Sequence, residues 1–184
     1  METPLSTIEL AFDGVERPEK LTLHVAEEHD NYDYDNDGMH RQRDHVGRWQ
    51  DVPEEHLLRC VDGLSHLAAD GVPYYLPAAM RWVIRNFRDT DSRLVDWTIY
   101  QLAPNREDKN LSERYDRRFA RFTMPQWRAC EAFLDYLLSE DTDGDYIDAK
   151  VAREARSEVR SKIKQGEQAW VDNPLPRRDS EIES

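Results

Sequence analysis

Cysteine is nearly absent from this chain: Cys60 and Cys130 are the two in 184 residues, and each lies in an apolar pattern of helical spacing. No disulfide framework or CxxC metal pair is implied, because a free cysteine so placed behaves as a small hydrophobe. Long apolar runs are missing as well. Nothing approaches the roughly 18 consecutive apolar residues of a membrane span. The N-terminal METPLSTIELAFDG also lacks the basic flank and unbroken apolar stretch of a signal peptide. A cytoplasmic protein without membrane contact is expected. Basic charge is short: 25 Lys and Arg face 38 Asp and Glu, for a formal net charge of −13. Phosphate recognition needs a concentrated basic surface, so nucleic acid is not an expected partner and a basic protein is. No GxxxxGK[ST] loop, GxGxxG, GxSxG elbow or HExxH occurs, which withdraws support from the common nucleotide, hydrolase and zinc classes. No cofactor is expected.

What remains is a chain with 39% hydrophobic residues, enough for one core and too short for two. Residues 1–171 read as one globular domain, and residues 172–184, with two prolines and few apolar groups, read as a disordered or loosely attached tail. The fold class is mainly α, a single compact helical domain. Thr3 caps a first helix with Pro4 in its first turn, Leu5, Ile8, Phe12 and Val15 share a face, and Gly14 stops it. Asp51, Pro53 and Glu54 mark a second start, from which Leu57, Val61, Leu64 and Ala68 predict a helix running to Gly71. After a bend at VPYYLP, Met80, Val83, Ile84 and Phe87 predict another. Thr123 and Gln126 form a capping box ahead of Trp127, Cys130, Leu134 and Leu137. A final charged helix carries Ile147, Val151, Ala155, Val159 and Ile163 along one seam.

Two segments are ambiguous. Leu21, Leu23 and Val25 alternate like a strand, yet Thr22 can cap a helix, and helix is the preferred reading. LVDWTIYQL suits a strand or a helix equally, so the pair 21–25 and 94–102 leaves room for a minor two-stranded β element. Residues 33–47 read as an exposed loop.

AFDGV followed by TLH, then RWQDVPEE, YYLPAAM and FTMPQWRACEAFL, together resemble a bacterial domain family whose function is not known. The resemblance spans roughly residues 8–140 and rests most on WQDVP and YYLPA. It implies a shared fold and assigns no residue a role.

Three functional readings compete. Glu27, Glu28, Asp30, Asp33, Asp35 and Asp37 form an acidic segment with no Lys or Arg between them, which would steer a basic partner. The leading expectation is a non-enzymatic interaction protein of the immunity or inhibitor type, its oligomeric state open. The opposing charge on Lys150, Arg153, Arg156, Arg160, Lys162 and Lys164 also suits head-to-tail association. A second reading is a metal-assisted enzyme using His24, Asp30 and Asp44. Within it, Asp33, Asp35, Asp37 and Asp44 echo a calcium loop, although His40 and Asp44 fit that register poorly and a solvated acidic loop is favoured. Asp141, Asp143 and Gly144 echo the same loop and read as a turn. His56 and Cys60 stand four apart on a helix, the spacing of a ligand pair or of a base and nucleophile. His24 with Glu27 or Glu28 reads as a surface pair. The third reading is a ligand groove lined by Trp49, Gln50, Asp51, Tyr74 and Tyr75, against the alternative that these side chains fill the core.

Overall fold

The computed structural model describes residues 3–172, in which nine α-helices and two 3-10 turns, with no strand among the described residues, surround one core. Helix α1 (Pro4–Ala11) begins as its sequence requires, with the Thr3 hydroxyl accepting the Ser6 N–H. Helix α2 (Leu23–Asp30) settles the first ambiguity in favour of helix. Helix α3 (Asp37–Gln42) corrects the expected loop over 33–47: Asp37 meets the positive end of the helix dipole and His40 is buried.

The predicted helix from Asp51 to Gly71 is broken. A 3-10 turn, Trp49–Asp51, precedes helix α4 (Glu54–Arg59), and a second 3-10 turn, Asp62–His66, follows a break at Cys60. Asp51 does not cap α4; its carboxylate lies 3.5 Å from Arg48 and the position before the helix is Pro53. The break has a packing cause. Gly63 sits on α2 so closely that a Cβ would lie 2.8 Å from the Glu27 backbone nitrogen and 2.9 Å from the Leu23 carbonyl oxygen. Gly63→Ala is therefore expected to force α2 away and to cost about 1–3 kcal/mol, the range of core overpacking. Urea denaturation would read it, and an unchanged midpoint would show that the contact yields freely.

Helix α5 (Val72–Asn86) starts earlier than expected, because Pro73 sits in the first turn, where no intrahelical N–H is needed, and only Pro77 removes a bond. Helix α6 (Leu94–Tyr100) resolves the second ambiguity, with the Thr98 hydroxyl turned back onto the Leu94 carbonyl at 2.6 Å. No β pairing therefore forms between 21–25 and 94–102. Helix α7 (Lys109–Arg118) is capped by Asp108, which accepts the Asn110 and Leu111 N–H groups.

Helix α8 (Met124–Glu140) carries the expected box, the Thr123 N–H donating to Gln126 Oε1 at 3.0 Å. The DTDGD turn is closed by the Asp141 carboxylate, which accepts N–H groups from Asp145, Tyr146 and Ile147. Helix α9 (Ala149–Asp172) then runs back along α8, burying Ala152, Ala155, Val159 and Ile163. Most of its basic stripe is paired internally. Arg156 and Arg160 bind Asp135, Arg160 also binds Glu131, and Lys162 binds Asp116 of α7. The charge read as a pole for head-to-tail association is thus largely matched within the fold. Beyond Asp172, the expected tail lies outside the described residues. No helix among the described residues is long and apolar enough to cross a membrane.

Candidate functional site: a histidine and carboxylate layer around α2

Helix α2 opens with backbone N–H groups that need acceptors. Thr22 does not supply one from its side chain; Asp44, twenty-two residues on, does. Its two carboxylate oxygens lie 3.2 Å from the His24 backbone nitrogen, and Oδ1 lies 3.1 Å from His24 Nδ1. Tyr75 donates its hydroxyl to the same carboxylate at 3.4 Å. Burial pushes the Asp44 carboxyl up, but the hydrogen bonds from His24 outweigh it and hold it below its ordinary value. The His56 ring, from α4, meets the His24 ring edge-on with centroids 4.7 Å apart. Burial, then the adjacent His24, push the His56 pKa down.

All six histidines fall between residues 24 and 66, and the acidic segment is wired to them. His29 lies 2.7 Å from Asp37, His40 lies 2.9 Å from Asp33, and His66 lies 2.8 Å from Asp30. Glu28 pairs with Arg43 at 3.1 Å. Glu27 accepts the Gly63 N–H at 2.7 Å, and burial raises its pKa despite that bond. Asp35 is exposed and has no ion-pair partner among the described residues.

The carboxylates of the calcium-loop reading are therefore dispersed: Asp33, Asp37 and Asp44 go to three different histidines, and Asp37 and Gly38 belong to a helix. Of His24, Asp30 and Asp44, the first and last meet while Asp30 is held by His66. His56 joins the pair His24 and Asp44, and these three offer one donor atom each within 4.8 Å of one another, enough to hold a metal. Sequence reasoning had paired His56 with Cys60 instead. The Cys60 thiol is buried and pushed up to about 12 by burial and by the charges of Glu27 and Asp44, the opposite of what a nucleophile needs.

Three of the five expected groove residues are core. Trp49, Tyr74 and Tyr75 are fully enclosed, with the Tyr74 hydroxyl on the Gly47 carbonyl and the Trp49 Nε1–H on the Phe12 carbonyl. Gln50 gives its carbonyl to Arg81, and Asp51 is exposed beside Arg48. A concavity of about 230 Å³ does lie beside these segments, but its lining includes Glu54, Arg81, Trp82 and Asn86.

Fold and site together define a single helical domain built on a histidine and carboxylate layer. The chain belongs to DUF6714, a family of unknown function, whose sequence profile matches residues 3–158. No curated protein and no solved structure matches it.

Proposed function

We propose that this protein is a non-enzymatic interaction domain of the inhibitor or immunity type, which docks the positively charged surface of another protein against the turn between α2 and α3. One observation carries the reading. Tyr32 ends α2 in the left-handed region, with φ 64°, and its ring is 84% exposed. Its N–H bonds the His29 carbonyl and the Asp33 N–H bonds the Glu28 carbonyl, the two bonds of a Schellman turn, where glycine is the usual residue. A tyrosine there is strained by roughly 1–2 kcal/mol. Among the described residues no hydrogen bond or ring contact uses the exposed ring.

Tyr34 and Met39, 59% and 57% exposed, extend the same patch, and Asp33, Asp35 and Asp37 interleave it. Tyrosine and methionine set in a polar rim are the composition of an interface, and the acidic rim supplies steering toward a cationic partner. The test separates stability from binding. Tyr32→Gly is expected to stabilise the domain by about 0.5–1 kcal/mol through relief of backbone strain. In affinity capture from a lysate of the source cells, the same variant is expected to lose a basic protein that the unaltered chain retains at low salt and releases at high salt. Retention of the same proteins by the unaltered chain and by Tyr32→Gly, or retention indifferent to salt, would overturn the reading.

A further inference from the structure

We infer that His24, Asp44 and His56 form a binding site for one divalent transition ion of the zinc type, at the start of α2 and separate from the docking surface. Each ligand comes from a different part of the fold: His24 from the start of α2, Asp44 from the segment after α3, and His56 from α4. Two imidazoles and one carboxylate make the mixed nitrogen and oxygen set that zinc accepts, and they fall far short of the six to eight oxygens that calcium takes. The spacing is also close to what an ion requires. Metal to ligand distances of about 2.1 Å at a tetrahedral angle place neighbouring donors roughly 3.4 Å apart, and His24 Nδ1 to Asp44 Oδ1 is 3.1 Å. The third donor lies within 4.8 Å of both, so a modest inward shift of the His56 ring closes the set.

Helix capping explains Asp44 and the backbone of His24, but it does not explain the two histidines added to them. The His56 ring makes no hydrogen bond among the described residues, although it is half-buried against His24. His45 carries a buried Nε2 with no hydrogen-bond partner and lies within electrostatic reach of His56. Buried polar nitrogens are rarely left unbonded, so His45 Nε2 stands out, while the His56 nitrogens, unclaimed among the described residues, are available as ligands. A tetrahedral ion held by three protein ligands leaves its fourth position to water. Enclosed in this way, the ion would tie the start of α2 to α4 and to the segment after α3.

The full chain, stripped with a chelator and dialysed, should be titrated with zinc chloride by calorimetry. Cobalt chloride should be used in parallel for its visible absorption. One zinc per chain with a Kd near or below ~1 μM is expected, and at ~100 μM free zinc the unfolding equilibrium constant should fall about a hundredfold. Cobalt should give the intense visible bands of a four-coordinate site. His56→Gln should weaken zinc binding at least about a hundredfold, with the metal-free unfolding transition still cooperative. His29→Gln removes a surface histidine pair outside the trio and should leave binding unchanged. The inference fails if no saturable zinc binding appears, or if His56→Gln binds zinc as tightly as the unaltered chain.

Discussion

Replacing Trp49 by alanine is expected to destabilise the domain by about 3–5 kcal/mol, the range for removing a large buried aromatic side chain. The ring is 1% exposed. Its Nε1–H donates to the Phe12 carbonyl at 2.8 Å, where α1 ends, and the Arg81 guanidinium lies 5.7 Å from the ring centroid. Arg81 also donates to the Gln50 carbonyl, so the ring and the 3-10 turn that carries it are held from both sides. Alanine would open a cavity and leave a buried carbonyl without its donor. Trp49→Phe keeps most of the volume and loses the hydrogen bond, so a smaller loss of about 1–2 kcal/mol is expected. Urea titrations of the three proteins measure both quantities. A ligand-lining tryptophan would behave otherwise, since its removal leaves the fold nearly as stable as before.

Arg118→Ala is expected to cost about 2–4 kcal/mol, because one guanidinium satisfies three acceptors that would otherwise stand unbonded. Its Nε bonds the Leu67 carbonyl at 3.1 Å, and its Nη2 bonds the Leu64 carbonyl and Gln101 Oε1, each at 2.6 Å. These contacts stitch the end of α7 to the second 3-10 turn and to the end of α6. No carboxylate among the described residues pairs with the group. Burial, with a smaller contribution from Arg114, lowers its pKa to about 10, so it stays charged at neutral pH. Lysine keeps the charge but offers a single donor atom in place of a planar fork, and Arg118→Lys should recover less than half of the loss. Thermal melts at pH 7 decide the matter; a loss below about 1 kcal/mol for alanine would mean that water replaces the guanidinium at all three sites.

Much of the helical content was legible, and the reasons are local. Thr3 with Pro4, and Thr123 with Gln126, announce α1 and α8 because capping bonds form between residues three apart, and no distant contact has to agree. The failures are tertiary. Residues 54–70 carry a helical apolar period throughout, yet the backbone leaves α-geometry at Cys60, and Gly63 is pressed onto α2, a neighbour more than thirty residues away. The two prolines of VPYYLP looked like a bend because a proline disfavours helix in its predecessor. Nine other buried positions on α5, including Tyr74, Tyr75 and Met80, outweigh that preference. The site was legible in part. His24 and Asp44 were suspected together, but Asp30 was a neighbour only in sequence, and His56 was assigned to the residue four places along instead of to a ring on another helix. Those pairings exist only once α2, α3 and α4 have packed, and no periodicity encodes them. The exposed Tyr32 was missed for a different reason. The Schellman turn that strains it normally advertises itself with glycine, and this sequence withholds that sign.

The cap that Asp44 provides to α2 also governs when the acidic turn exists at all. An eight-residue helix is far below the length that persists alone in water, and this one receives its first acceptor from beyond its own end. A synthetic peptide covering residues 22–39 should therefore be unstructured, and a nascent or partly unfolded chain should not display Tyr32 in its strained geometry. The proposed docking surface is thus a conformational epitope, which linear peptide arrays would miss and a completed fold alone would present.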